Sequence, residues 1–171
     1  MKYRFVMLLV ISTLIMLAGC QMAEEASFLD KIQTANKVVV GTSADYPPYE
    51  YVDEAGNMKG FDVELMEEIA KRMDVELEWQ DMPFDSLIAA VQEGKIDMSI
   101  ACFNYSEERD KEVDFSDEYY TSQDAFIVTN DFSGEFIAPE DAANFKVGVQ
   151  SGTVQDDWLT GELVDTGLLS E

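Results

Sequence analysis

Histidine does not occur in the 171 residues, and cysteine occurs only twice, at Cys20 and Cys102. Without an imidazole there is no Ser-His-Asp triad, no His-ligated metal and no imidazole acid or base. Two thiols cannot build a disulfide scaffold or a four-thiolate zinc site. Cations are scarce as well: 11 Lys and Arg stand against 35 Asp and Glu, a formal net charge of −24. That balance lacks the clustered basic residues that a phosphate backbone needs, so nucleic acid is excluded as a partner. There is no internal repeat and no low-complexity stretch. What is present is an ordinary share of apolar residues, 47%, which excludes wholesale disorder. The length allows one domain of average size, or one and a piece.

The long apolar run lies at the N-terminus. Lys2 and Arg4 precede Phe5 to Leu17, which is interrupted only by Ser12 and Thr13, and Leu17-Ala18-Gly19-Cys20 closes it. A cationic start, a short apolar stretch and small residues at its end form the layout of a secretory signal peptide. The run is too short for a comfortable transmembrane helix. The Leu-Ala-Gly-Cys end resembles a bacterial lipobox, which implies a signal peptide over 1–19 and lipidation of Cys20. An uncleaved membrane anchor with an incidental Cys20 is the alternative. Residues 20–36 then read as a tether and a short helix, the helix over Phe28 to Ala35. Acidity of the remaining chain is a solubility device for an extracytoplasmic surface, and Cys102 is left as an unpaired thiol.

From residue 37 strands and helices alternate. Val38-Val39-Val40 reads as a buried strand, and Gly41 to Pro48 as the loop that leaves it. Asp62 is expected to cap a helix running to about Met73, with Leu65, Met66, Ile69, Ala70 and Met73 on its apolar face. Val75, Leu77 and Trp79 alternate with polar residues as a strand with one wet face. Phe84 to Glu93 predicts a helix stopped by Gly94, and Ile96 to Ala101 a further strand. Ser106 to Glu112 is a charged helical turn. Phe126 to Val128 and Val147 to Val149 look like strands, and Val154 to Leu159 like a last helix. Strand–helix alternation implies an α/β fold with a mostly parallel sheet and helices on both faces. Ligands bind such sheets beyond the carboxyl ends of the strands, which here means segments 42–50, 101–109 and 150–154.

Gly60-Phe61-Asp62-Val63-Glu64-Leu65 with Ile69-Ala70 and Met73 resembles the signature of the family 3 bacterial solute-binding proteins, the polar amino-acid receptors of ABC importers. The resemblance continues through Val40-Gly41-Thr42, Tyr46-Pro47-Pro48-Tyr49-Glu50, Phe84-Asp85-Ser86-Leu87 and Gly94-Lys95-Ile96-Asp97. It resumes at Ser106-Glu107-Glu108-Arg109, Val113-Asp114-Phe115-Ser116 and Val147 to Thr153. It implies a two-lobe periplasmic-binding-protein-like fold (type II) whose lobes close on a ligand by a hinge motion. On this reading 37–127 is lobe 1, nearly complete, and 128–171 only begins lobe 2.

The resemblance also assigns a site. Arg109 matches the arginine that grips the ligand's α-carboxylate, a task suited to the planar guanidinium fork; from the turn SEERDKE alone it is an ordinary surface charge. Tyr46 and Phe84 match aromatics that sandwich the ligand side chain. Ala101, Cys102 and Asn104 match positions that offer carbonyls and a hydroxyl, with Asn104 departing from the usual Ser or Thr. Ser43 stands where several relatives carry Asp, which weakens the case for a cationic ligand and leaves polar or uncharged amino acids ahead. Gln150 and Thr153 match an anion-binding helix start in lobe 2. Asp156 and Asp157 do not match the lobe 2 acid that pairs with the ligand's ammonium; that acid is expected beyond Glu171, and the chain alone is expected to bind at millimolar strength or not at all.

The resemblance implies an extracytoplasmic, lipid-anchored receptor that hands a small amino acid to an ABC permease, without catalysis, cofactor or metal. An enzyme of the cyclohexadienyl-dehydratase kind on the same scaffold is the alternative, and a sensor module of a membrane receptor is a third reading.

Overall fold

A computed structural model describes residues 27–169 of the chain. The signal-peptide and Cys20 readings lie outside the described residues. The chain opens with helix α1 (Phe28–Ala35) and strand β1 (Lys37–Thr42). A small hairpin sheet follows from β2 (Asp45–Tyr46), β3 (Glu50–Val52) and β4 (Met58–Lys59). Helix α2 (Phe61–Met73) leads to β5 (Glu76–Asp81), a 3₁₀ turn at Phe84–Ser86, α3 (Leu87–Gln92) and β6 (Met98–Ser99). After 3₁₀ turns at Arg109–Lys111 and Pro139–Asn144, α4 (Val154–Leu159) runs into a π turn at Thr160–Val164. None of these helices is long and apolar enough to cross a membrane.

The central sheet has the order β5-β1-β6, and both pairings are parallel. Val38 lies opposite Leu77, and Val40 lies between Trp79 and Met98. Strand pleating sends alternate residues of β1 to opposite faces. Val38 and Val40 enter one core with Ile32 of α1 and Met66 and Ala70 of α2, while Val39 packs against Leu87, Ala90 and Ile96 on the other side. Helices therefore cover both faces, as the strand–helix alternation requires.

Three local readings change. The N-cap of α2 is Gly60 at φ 128°, without a side-chain cap. A Cβ at Gly60 would run into the Tyr49 carbonyl, so the chain enters the helix at a point where only glycine fits. Asp62 is then the second residue of the helix, and its carboxylate points to the interior rather than to a free helix N–H. The strand expected over 96–101 shortens to Met98–Ser99 because the Asp97 carboxylate takes the Val39 N–H at 2.8 Å, a place a ladder carbonyl would fill. Beyond it Cys102, at φ 47°, turns the chain away.

The third change concerns residues 126–128 and 147–149. Neither segment is a strand, although both are β-branched and apolar. A strand exists only through a ladder partner, and among the described residues none pairs with them. Ile127 is 96% exposed. This part of the chain is organised instead by aromatic contacts among Phe126, Phe132, Phe136 and Phe145, with ring centroids 5.0–5.7 Å apart for the closest pairs. Beside them Ala142, Leu159 and Leu163 form a separate small core.

Candidate functional site

The carboxyl ends of β1 and β5 open side by side, and residues 43–45 and 81–85 leave them together. A cleft of ≈ 510 Å³ lies there, walled on its far side by Gln150 and Ser151. Ser43 and Phe84 line it with Gln150, so three of the residues singled out by sequence meet in one place. Asp45, Asp81 and Asp85 also line it, and no Lys or Arg does. Their carboxylates take only neutral donors: Asp81 accepts from the Ala44 N–H at 2.9 Å, and Asp45 from the Ser43 hydroxyl at 3.3 Å. Every charged residue in the lining is therefore an acid.

Arg109 stands next to this cleft, on the 3₁₀ turn, and is 8% exposed. Its guanidinium carbon lies 5.9 Å from the Phe84 ring centroid and 5.6 Å from that of Phe103. The two rings are themselves stacked at 4.5 Å. Nη1 donates to the Asn104 carbonyl at 2.8 Å and Nη2 to the Gly152 carbonyl at 2.7 Å. Burial pushes its guanidinium below the ordinary value, and Asp157 acts against that shift. None of the salt bridges among the described residues involves Arg109. A buried cation compensated by two neutral carbonyls is under-paired, since a charge away from water calls for an opposite charge or several hydrogen bonds.

The segment that meets Arg109 has its own fixed shape. Gly152 lies at φ 74°, and a Cβ there would stand 2.9 Å from the Asp85 Cβ. Only glycine lets this backbone approach residue 85 and deliver its carbonyl to the arginine. Thr153 caps α4: its hydroxyl accepts from the Asp156 N–H at 3.2 Å and donates to the Gln150 carbonyl at 2.8 Å. Gln150 reaches Asp45 across the cleft at 3.5 Å. Asp156 closes on the Gly152 N–H at 3.0 Å.

The other sequence candidates fall elsewhere. Tyr46 is half exposed and stacks on Tyr49 at 5.5 Å, outside the cleft lining. Ala101 is buried in the core with Leu87 and Ile96, so only its backbone is left for a ligand. Asn104 uses its carbonyl on Arg109, and its side chain is exposed. The Cys102 thiol faces inward to Glu50 and Asp62. Burial, followed by those two carboxyl groups, pushes it up to about 12, far from a reactive thiolate.

Sequence reasoning missed Phe103, the Gly152 carbonyl and the buried carboxyl groups. Phe103 sits between Cys102 and Asn104, both already singled out, and an aromatic in that position was the available signal. Glu50 is a charged residue opening the β-prone stretch Glu50-Tyr51-Val52, and it is 1% exposed. Asp62 Oδ2 accepts from the Cys102 N–H and the Tyr119 hydroxyl, each at 2.9 Å. Burial and the Asp62 carboxylate raise the Tyr119 phenol above its ordinary value.

The profile of the bacterial extracellular solute-binding proteins, family 3, matches residues 38–158. The arginine-binding extracellular protein ArtP of Bacillus subtilis (strain 168) is 41% identical over 121 residues, covering 71% of this chain and 46% of ArtP. The arginine-bound form of domain 1 of the T. maritima arginine-binding protein is 50% identical, with a TM-score of 0.52 over 53% of this chain and 71% of that one. An ancestral amino acid-binding protein, AncCDT-1, described as a precursor of cyclohexadienyl dehydratase, is 35% identical, with a TM-score of 0.74 over 78% of this chain and 60% of that one. The chain spans about half the length of the curated relatives it matches, and it covers only part of the type II fold that its structural neighbours carry.

Proposed function

Because the chain belongs to the bacterial extracellular solute-binding proteins of family 3, we propose that it captures an amino acid in the cleft at the carboxyl ends of β1 and β5. The observation that carries this is Arg109: a buried guanidinium beside the stacked Phe84 and Phe103 rings, hydrogen-bonded only to carbonyls, next to a cleft lined by three carboxylates. In this reading the ligand's α-carboxylate takes the guanidinium fork and displaces the Gly152 carbonyl from Nη2. A carboxylate offers two charge-assisted bonds where a carbonyl offers one neutral bond. Phe84 and Phe103 exclude water from the contact and strengthen it.

The charge of the cleft selects the ligand. Asp45, Asp81 and Asp85 face any side chain that extends past Phe84, and no cation in the lining offsets them. A cationic amino acid answers that field better than an uncharged one, even though Ser43 replaces an acid. Arginine is the first ligand to test, and the arginine-binding names of several relatives support the choice. Ser43, Gln150 and Thr153 contribute hydroxyl, amide and helix-start contacts, Tyr46, Ala101, Cys102 and Asn104 a rim and backbone carbonyls.

Residues 37–127 act as lobe 1 and 128–171 as the start of lobe 2, with Gly152 bringing the second against the first. The bound amino acid is handed to an ABC permease, and Cys20 carries the lipid that keeps the receptor at the extracytoplasmic membrane face. No step of this reading is catalytic.

The test is calorimetric titration of L-arginine, L-lysine, L-glutamine and L-cystine into the full chain and into its Arg109→Ala variant. Millimolar binding led by the cationic ligands, and none measurable in the variant, is expected, as loss of a buried charge pair costs about 2–5 kcal/mol. Equal affinity in both proteins would reject the assignment.

A further inference from the structure

Glu50 opens β3 and Asp62 stands in the first turn of α2, so hairpin and helix present two carboxyl groups to each other in the interior. Both residues are buried, 1% and 0% exposed. One oxygen of each and the Cys102 sulfur all lie within 4.8 Å of one another. Asp62 Oδ2 is engaged by the Cys102 N–H and the Tyr119 hydroxyl. Its Oδ1, and the Oε2 of Glu50, have no donor among the described residues. Two adjacent buried carboxyl groups disfavour a second charge, because repulsion and desolvation act in the same direction. A proton between them removes one charge and supplies the missing donor. It leaves the remaining charge on Asp62, where two donors already hold it.

We propose that Glu50 and Asp62 share one proton as a buried acid–carboxylate pair, which ties β3 to α2 and to residues 102 and 119, and whose loss makes the fold less stable at alkaline pH. This goes beyond the ligand-binding reading and does not depend on it.

The neighbouring groups agree with the assignment. Burial first, and then the Asp62 charge, push the Glu50 carboxyl up to about 9, with Asp45 of β2 adding in the same direction. Cys102 and Tyr119, the other titratable groups on the pair, are raised by burial and by Asp62, so both stay neutral through that range. A neutral thiol and an Asp62 oxygen already filled by two donors favour a proton over a bound cation.

The sign follows from linkage. In the folded chain Glu50 keeps a proton that the unfolded chain releases near its ordinary value of 4.5. The stability this proton contributes is therefore fully present below about pH 4.5, declines as pH rises through the interval, and is lost above about pH 9.

The experiment uses infrared spectroscopy of the full chain at pH 7 and circular-dichroism melts from pH 5 to pH 9.5, for the unsubstituted chain, Glu50→Gln and Glu50→Ala. The unsubstituted chain shows the carbonyl band of one protonated carboxyl group at pH 7, and Glu50→Gln lacks it. The Gln amide still donates to Asp62, so Glu50→Gln folds and its melting temperature depends less on pH. Glu50→Ala, which leaves Asp62 without that donor, melts below Glu50→Gln at pH 7. Absence of the protonated-carboxyl band in the unsubstituted chain overturns the proposal, whether or not the variants fold. An unchanged pH dependence in Glu50→Gln overturns it too, as does stoichiometric metal in the purified protein that is lost in that variant.

Discussion

Residues 37–103 and residues 120–169 both contain runs of β-branched and aromatic residues, yet they are organised differently. In the first region Val38-Val39-Val40 finds β5 on one side and β6 on the other, and helices cover both faces. In the second region Phe126-Ile127-Val128 finds no ladder among the described residues, and stacked rings with a three-residue core hold the chain together. Composition alone does not separate the two. What separates them is whether a partner strand with the matching register lies within reach. The two regions touch at Phe84, Asp85 and Gly152, and there the Gly152 carbonyl rests on Arg109 of the segment that joins them.

The largest expected effect tests this asymmetry in the cores. Met66 is fully buried between α2 and β1, so Met66→Ala should cost about 2–5 kcal/mol and shift the main thermal transition. Leu163 is equally buried but in the small second core. Leu163→Ala should loosen the 120–169 region, seen as faster amide exchange there, while the exchange of β1 and β5 stays unchanged. Equal loss of protection in β1 and β5 would show that the two regions form one cooperative unit.

A middle-sized effect is expected at the contact between them. Gly152→Ala introduces a Cβ against Asp85 at a positive φ, which should cost about 1–3 kcal/mol locally. It should also free Nη2 of Arg109 from the Gly152 carbonyl. Chemical shifts of residues 81–85 and 150–153 should move together, and those of α1 should not. The smallest effect is expected at Ile127, which is 96% exposed. Ile127→Ser should change stability by no more than about 0.5 kcal/mol; a larger loss in a melt would mean that this segment is covered in solution.

How far the sequence could be read follows the same division. Helix α1, β1, β5 and α4 lie where periodicity and turn residues place them, because their signals are local. The parallel sheet with helices on both faces follows from element order alone. The strands expected at 126–128 and 147–149 fail because pairing is a property of the partner as well as of the segment. Within the site, Phe84, Ser43 and Gln150 line one cleft and Arg109 stands beside it. Tyr46 does not join them, since its ring stacks on Tyr49 instead. Asp62 was legible as a helix-start residue but not as a buried carboxylate, because its partners Glu50, Cys102 and Tyr119 lie 12, 40 and 57 positions away in the chain. The acidity of the cleft depends on Asp45, Asp81 and Asp85 meeting across two strand ends, which no local pattern records.

The central claim is that Arg109 is an under-paired cation kept for a carboxylate. It is tested most directly by titrating L-arginine into the full chain, Arg109→Ala and Arg109→Lys at one salt concentration. The account predicts millimolar binding to the unsubstituted chain, a loss of about 30-fold or more that takes Arg109→Ala below detection, and poor recovery in Arg109→Lys, whose ammonium cannot reproduce the two-pronged contact. Binding of equal strength in all three proteins would contradict it.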